Sequence, residues 1–209
     1  MHSKIFWFDT ETTGLDPHKN AMIQLGAIVE INGQIKEELM FLFKPYPEAE
    51  IDDRALQVNN RSKKEIMGFP DCTIALQGLK KKLSKYVNKY NKNDKFICAG
   101  FNVGFDIGFL RRTFERCGDN YFGSWFFNAP LDVWTVVSMA ILKLGLRLPN
   151  YKLVTICDYF NIPILSEHNA IDDIRGTRDL FYFLERELIG LNNGTTNQAN
   201  REQVKQEGG

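Results

Sequence analysis

Short apolar runs separated by turn residues dominate the first half of the chain. Residues 5–8 form an unbroken apolar run, whose length and aromatic content predict a central, doubly buried strand. Residues 22–31 are rich in β-formers. Asn32-Gly33 is a strong hairpin signal, and residues 34–43 form the returning strand. A second buried strand is predicted at 96–100. The pattern therefore begins with an antiparallel meander and continues into a further central strand.

Apolar residues at helical spacing predict the remaining elements. A capping box at 62–65 predicts the start of a short helix. Further helices are predicted over 72–90, 105–117, 133–144, 152–160 and 169–188, with a loop of aromatic residues at 120–131. Strands followed by alternating strands and helices indicate an α/β fold, a mixed sheet flanked by helices. From residue 191 the chain is rich in Asn, Gln, Thr and Gly, and we expect a disordered polar tail.

Length and charge narrow the possible functions. The 209 residues suit one sizeable domain. The 26 basic and 26 acidic residues balance, which argues against binding nucleic acid through bulk charge. Binding through a local basic patch, or through metal ions that meet phosphates, stays open. The lysines of the predicted 72–90 helix are interpreted as a solvated face, with a nucleic-acid patch as the alternative.

The cysteines and the apolar profile suggest a compartment. Cys72, Cys98, Cys117 and Cys157 have neither zinc-site nor redox-pair spacing, so they are interpreted as reduced structural residues in a reducing compartment. No signal peptide and no apolar stretch of membrane-spanning length is visible. We therefore expect a cytoplasmic protein with no membrane association.

Acidic residues at strand ends are the first candidate chemistry. Asp9 and Glu11 follow the first buried run, and residues i and i+2 of a strand project from the same face. Two neighbouring carboxylates repel each other, and a divalent cation would relieve that repulsion. Asp106 opens a predicted helix just after the strand at 96–100, where the helix dipole alone could favour an acid. Asn102, at the end of that strand, could be only a turn residue.

A histidine and two acidic residues near the last helix are the second candidate chemistry. His168 lies in a predicted loop, and Asp172 and Asp173 lie in the first turns of the helix that follows. Adjacent residues of a helix cannot both face the same way. The residues themselves leave open which aspartate points inward.

Together these segments resemble a known family. Phe8-Asp9-Thr10-Glu11-Thr12-Thr13-Gly14-Leu15-Asp16-Pro17, Asn102-Val103-Gly104-Phe105-Asp106 and His168-Asn169-Ala170-Ile171-Asp172-Asp173 resemble the three motifs of the DnaQ-like (DEDDh) 3′–5′ exonucleases. That family includes the epsilon proofreading subunit of bacterial replicative polymerase and also ribonucleases. The resemblance covers roughly residues 4–188, and its histidine-to-aspartate spacing selects Asp173. Phe101 and Asn169 depart from the usual histidine and aspartate.

The resemblance implies a fold and a reaction. It implies an RNase H-like mixed five-stranded sheet in an exonuclease domain at 1–190, followed by the tail at 191–209. It also implies two divalent ions, Mg²⁺ or Mn²⁺, which prefer oxygen ligands. The metal ligands would be Asp9, Glu11, Asp106 and Asp173. His168 would be the general base.

The resemblance further implies the substrate contacts. Thr12, Gly14 and Leu15 would meet the terminal nucleotide, and Asn102 would contact the backbone. Phe105 would stack on a base, with core packing as the alternative.

The expected activity is removal of nucleotides from the 3′ end of single-stranded nucleic acid, with DNA favoured over RNA. A ribonuclease that trims RNA ends, a non-catalytic nucleic-acid-binding module and an unrelated metal phosphatase are the alternatives. A DNA polymerase is a possible partner, since no polymerase domain is visible in these 209 residues.

Overall fold

A five-stranded mixed sheet is the centre of the fold. The computed structural model describes residues 3–164 and 170–190, with the side chains of 188–190 outside that description. The strands are β1 (Lys4–Thr12), β2 (Met22–Ile31), β3 (Gln34–Leu42), β4 (Ile97–Gly100) and β5 (Leu131–Asp132), in the order β3-β2-β1-β4-β5. The β3-β2-β1 strands are antiparallel, whereas β4 and β5 extend the sheet in parallel. The mixed sheet predicted from the sequence is confirmed.

Helices cover the sheet, and four of them begin at side-chain caps. They are α1 (Asp53–Val58), α2 (Lys63–Met67), α3 (Cys72–Leu83), α4 (Val103–Arg116), α5 (Val133–Leu144), α6 (Leu153–Tyr159) and α7 (Ala170–Gly190). The side chains of Asp52, Ser62, Asp71 and Asp132 accept hydrogen bonds from the first backbone N–H groups of α1, α2, α3 and α5. These bonds satisfy helix donors that would otherwise have no intrahelical partner. Within the described ranges, no helix has the length and apolarity needed to cross a membrane.

Several element boundaries differ from the sequence prediction. Strand β1 continues to Thr12 because its pairing with β2 extends along the candidate acids. Helix α3 ends at Leu83 instead of continuing to 90. Val87 is still buried, so apolar residues at helical spacing continue beyond the end of the helix. Helix α1 was not predicted. Strand β5, at the end of the predicted aromatic loop, is only two residues long and depends on its pairing with β4.

The two faces of β1 pack against different helices. Phe6 and Phe8 join the core that includes residues of α3 and α4. Trp7 packs on the other face, against Phe181 of α7, with ring centroids 5.5 Å apart. Because side chains alternate along a strand, Thr10 belongs to the α4 face, and Asp9 and Glu11 belong to the α7 face.

The aromatic loop covers the core. Phe122, Trp125 and Phe126 are buried, and Phe126 forms a bridge with Phe96 just before β4. Burial of these rings accounts for the unusual aromatic content of a segment with little regular structure.

Candidate active site

Asp9 and Glu11 lie near the C-terminal end of β1, the central strand of the sheet. Asp9 is opposite Gly26 of β2, and Glu11 is opposite Gln24. Both residues are half-buried. A register irregularity between Glu11 and Thr12 ends the regular pairing. The two acids therefore lie where the regular part of the strand ends.

Asp106 reaches the same end of β1 from α4. It lies in the first turn of that helix, which follows β4 directly, and its side chain is 3% exposed. Both the backbone N–H and the hydroxyl of Thr10 donate to its Oδ1, at 2.9 and 2.7 Å. Thr10, which stands between Asp9 and Glu11 in β1, thus fixes the position of the Asp106 carboxylate.

The two aspartates at the start of α7 have different surroundings. Asp172 accepts a hydrogen bond from Arg175 at 2.8 Å, and Arg175 also pairs with Glu38 of β3 at 2.5 Å. Asp173 instead exerts an electrostatic effect on Asp9. The structure brings Asp173, the aspartate selected by the family spacing, into the neighbourhood of the other acids.

The mutual repulsion of these acids is visible in their proton affinities. Burial raises the pKa of Asp9 well above its usual value, and the charges of Asp106, Glu11 and Asp173 raise it further. Burial also raises the pKa of Asp106 to about 7, against the opposing effect of the Thr10 hydrogen bonds. The four carboxylates therefore share one region, and each disfavours ionisation of its neighbours.

The donor set fits a hard divalent cation. In the described part of the chain, no three acidic, histidine or cysteine side chains already converge on a metal-binding geometry. The four acids nevertheless offer only oxygen ligands, which Mg²⁺ and Mn²⁺ prefer. A bound cation would offset the burial and the mutual repulsion that raise the pKa of Asp9 and Asp106.

His168, the predicted general base, lies outside the described residues. The loop at 165–169 and the tail at 191–209 are likewise outside them. The helix predicted at 169–188 is observed as α7 from Ala170.

The three candidate substrate contacts that follow β1 differ in accessibility. The Thr12 hydroxyl is buried and donates to the Gly14 carbonyl at 2.7 Å, so it shapes the turn. Gly14 packs so closely on Asn20 that an added Cβ would lie 2.4 Å from its side chain. Leu15 is 84% exposed. Of the three, Leu15 offers the apolar surface that a base could contact.

Asn102 and Phe105 flank Asp106. Asn102 adopts a left-handed conformation with φ of 58°, and its backbone N–H donates to Asp132 at 2.9 Å. Asparagine tolerates this conformation better than most residues. Phe105 packs partly on Phe109, with centroids 4.9 Å apart, and belongs to the edge of the core. Core packing, the alternative interpretation of Phe105, therefore accounts for at least part of its role.

Sequence reasoning missed three residues that position the acids. Thr10 orients Asp106, and Asp132 joins the turn after β4 to the first turn of α5. Gly26 lets α7 approach the sheet, because a Cβ there would lie 2.7 Å from Cβ of Ala170. A glycine inside an otherwise apolar strand is a sequence signal for such a close approach.

A buried ionic cluster holds the middle of α7 on the sheet. Glu30 of β2 is 1% exposed and accepts hydrogen bonds from Arg178 at 2.5 Å, from the Tyr182 hydroxyl and from the indole N–H of Trp7 at 3.3 Å. Since α7 also carries Asp173, this cluster fixes the helix that delivers an acid to the site.

Comparison with known proteins identifies the family. A family model described as Exonuclease (RNase_T) matches residues 6–181, which include Asp9, Asp106 and Asp173. The chain belongs to this exonuclease family. The DNA polymerase III PolC-type proteins of Lacticaseibacillus paracasei and Thermotoga maritima are 26% and 27% identical to it over 196 and 177 residues. These alignments cover 92% and 83% of this chain but only 12% and 11% of the relatives' own lengths.

Solved structures share the fold of this exonuclease-family chain. Escherichia coli exonuclease I in complex with a dT13 oligonucleotide superposes with a TM-score of 0.72 at 18% identity, over 91% of this chain and 43% of that one. Exonuclease I from Methylocaldum szegediense gives 0.69 at 18% identity, over 88% and 40%. The RNase H-like arrangement expected from the three motifs is confirmed.

Proposed function

We propose that this protein is a metal-dependent 3′→5′ exonuclease that hydrolyses single-stranded DNA from its 3′ end and releases nucleoside 5′-monophosphates. The observation that carries the proposal is the grouping of Asp106, Glu11 and Asp173 around Asp9, whose charges add to burial in raising the pKa of Asp9. Buried like charges are costly unless a bound group compensates them. In an exonuclease-family fold, the group that explains them is a pair of divalent cations beside a phosphodiester.

The carboxylates would share the metal-holding role. Asp9, Glu11, Asp106 and Asp173 would hold two Mg²⁺ or Mn²⁺ ions, directly or through water. When bound, such a pair lowers the pKa of a water molecule and stabilises the charge on the leaving 3′-oxygen. Thr10 keeps Asp106 aligned through its two hydrogen bonds.

His168 would accept the proton of the attacking water on an imidazole nitrogen. An ordinary histidine is largely neutral near pH 7 and can take that proton. Leu15, whose side chain is exposed, would pack on the terminal base. Contacts of this kind read a strand end more than a base sequence.

DNA is the preferred substrate in this proposal. The relatives are DNA polymerases by name, and the structures that share the fold include exonuclease I bound to a dA16 or a dT13 oligonucleotide. A 3′→5′ exoribonuclease is the second candidate, because one contact to a 2′-hydroxyl would redirect specificity.

Residues 1–190 would carry the catalysis, and residues 191–209 would form a separate, non-catalytic tail. The chain matches only a small part of the PolC-type DNA polymerases, and we propose that it also associates with a DNA polymerase. The test measures whether removal of the 3′ end of a mismatched primer accelerates when a replicative polymerase is added.

The test of the activity uses 5′-labelled single-stranded DNA and RNA of matched sequence with Mg²⁺, Mn²⁺ or EDTA. We expect a ladder that shortens from the 3′ end, needs metal and is faster on DNA. Asp9→Asn and His168→Ala should abolish the ladder. Faster RNA cleavage would favour the exoribonuclease. A folded, metal-loaded protein that cuts neither polymer would refute the proposed activity.

The adjacent aspartates of α7 provide a matched control. Asp173→Asn should remove activity, because Asp173 belongs to the acidic site. Asp172→Asn removes the same charge one residue away, from a side chain that pairs with Arg175. It should retain most of the activity, and equal losses in both variants would contradict the proposed assignment.

A further inference from the structure

Two cysteines that are far apart in sequence meet in the fold. The thiol of Cys117 donates to Sγ of Cys72 at 3.1 Å. Cys72 is the first residue of α3, and Cys117 is the residue at which α4 ends. Both are partly exposed, whereas Cys98 and Cys157 are buried. The fold thus contains one contacting, reachable pair of thiols and two enclosed cysteines that serve as internal controls.

The two thiols of the pair differ in reactivity. Burial, together with the contact with Cys72, raises the pKa of the Cys117 thiol to about 12, so Cys117 is seldom a thiolate near neutral pH. Cys72 is therefore the better nucleophile, and Cys117 lies where a second, resolving thiol would be needed.

Cationic side chains lie near Cys72. Cys72 lines a small crevice of about 20 Å³ together with Lys44, Arg112 and Arg116. Glu115 offsets part of this charge through its 2.8 Å pair with Arg112, and Asp71 lies beside Cys72 in the chain. The remaining positive charge favours a small anionic reagent over a neutral one.

We propose that Cys72 and Cys117 form a redox-responsive dithiol that a small anionic disulfide converts into an intramolecular disulfide joining α3 to α4. Neither cysteine belongs to the exonuclease site, so the proposal is independent of the proposed activity. It assigns a modification site that sequence spacing does not reveal.

The exchange proceeds in two balanced steps. The Cys72 thiolate attacks one sulfur of the reagent, forms a mixed disulfide and expels a thiolate, which takes up the proton that Cys72 released. Cys117 then loses its proton and attacks the Cys72 sulfur, so the Cys72–Cys117 bond forms and a second thiol leaves. Two protein thiols are oxidised by two electrons, and one disulfide is reduced to two thiols.

The bond would require only a small movement. A disulfide brings its sulfurs to about 2.05 Å, so the 3.1 Å contact must shorten by about 1 Å. The resulting link encloses α3, β4 and α4, and constraining so long a loop restricts the unfolded chain. Oxidation should therefore raise the Tm by several degrees.

The test exposes the full-length protein to glutathione disulfide at pH 8 without oxygen. Samples are denatured, alkylated and mapped by mass spectrometry, and free thiols are counted. We expect the four thiols to fall to two. A Cys72–Cys117 cross-linked peptide should appear, Cys98 and Cys157 should remain alkylated, and the Tm should rise and return after reduction. Retention of all four thiols by the folded protein would overturn the proposal.

Serine variants separate the two steps. Cys117→Ser should stop at a mixed disulfide and gain the mass of one glutathione at Cys72. Cys72→Ser should react much more slowly. Rapid modification of Cys117 in Cys72→Ser would overturn the assigned order, and the mapping of the wild-type chain stands even if a variant folds poorly.

The crevice is tested with a neutral reagent. Glutathione disulfide should react faster than hydroxyethyl disulfide, and the difference should shrink as salt is added. Equal rates at low salt would refute the role assigned to Lys44, Arg112 and Arg116.

Discussion

Thr10 holds Asp106 with two hydrogen bonds to one carboxylate oxygen. The backbone N–H donates at 2.9 Å and the hydroxyl at 2.7 Å. Adjacent residues of β1 thus perform complementary tasks, since Asp9 and Glu11 present carboxylates and Thr10 orients a third from α4. These hydrogen bonds lower the pKa of Asp106, whereas its burial raises the pKa.

Removal of the hydroxyl should weaken the site without unfolding the protein. Thr10→Val keeps the backbone donor and the β-branched shape but loses the 2.7 Å bond. We expect metal affinity or activity to fall by about tenfold or more, as is usual when a partner of a metal ligand is lost. Titration of activity with Mn²⁺ measures the change. Thr10→Ser should retain near-normal activity, and an equal loss in both variants would contradict the role of the hydroxyl.

Metal binding should stabilise the protein more at high pH than at low pH. The pKa of Asp106 is raised from 3.8 to about 7 in the fold, so the folded chain binds more protons than the unfolded chain between those values. Its contribution to stability therefore falls as the pH rises through that window. Without metal, we expect the Tm to decrease between pH 5 and 8, and Mg²⁺ should raise the Tm most at pH 8.

Asp106→Asn provides the control for this effect. The amide oxygen can still accept from Thr10, but it carries no charge. The variant should be inactive yet more stable than the parent at pH 8 in EDTA, and its pH dependence should be flatter. Differential scanning calorimetry over pH 5–8 measures both, and an unchanged slope would remove Asp106 as the cause.

Gly26 should be required for the position of α7. In Gly26→Ala the new methyl group would lie 2.7 Å from Cβ of Ala170, and 3.0 Å from its carbonyl carbon, so the start of the helix must move. Because Asp173 follows in the next turn, its carboxylate would shift, and small misplacements of catalytic groups lower activity strongly. We expect activity to fall by at least about tenfold and the Tm to fall modestly. Gly123→Ala, where an added Cβ meets nothing within 4 Å, should leave both unchanged.

A second substitution can rescue the first. Ala170→Gly removes the nearest of the clashing atoms, so the Gly26→Ala/Ala170→Gly chain should recover part of the lost activity. The double-mutant cycle measures this coupling directly. Purely additive losses would show that the clash is not the cause.

Glu30→Gln should destabilise the fold by about 3 kcal/mol, because it leaves the Arg178 guanidinium without its buried counter-charge. Urea unfolding measures the change in free energy of unfolding. Glu115→Gln is the matched control, since its pair with Arg112 is exposed and is worth at most about 1 kcal/mol. Equal effects would mean that burial does not decide the strength of the Glu30 pair.

Most of the fold was predicted from local patterns in the sequence. The strands at 22–31 and 34–42 and the turn between them follow from alternation and from Asn32-Gly33, which depend only on neighbouring residues. Strand β5 was missed because its two residues have no pattern of their own, and their pairing with β4 is set by the packing of a distant segment. Helix α3 was predicted too long because Val87 is buried after the helix has ended.

The sequence by itself determined the family, the mixed sheet and the set of candidate acids, since these depend on short motifs and on periodicity along the chain. Only the tertiary structure decided which residues assist them. Thr10 meets Asp106 across 96 positions, Gly26 admits Ala170, and Cys117 contacts Cys72 across 45 positions. Such contacts depend on how helices pack against both faces of a twisted sheet, and no local interaction between neighbouring residues specifies them.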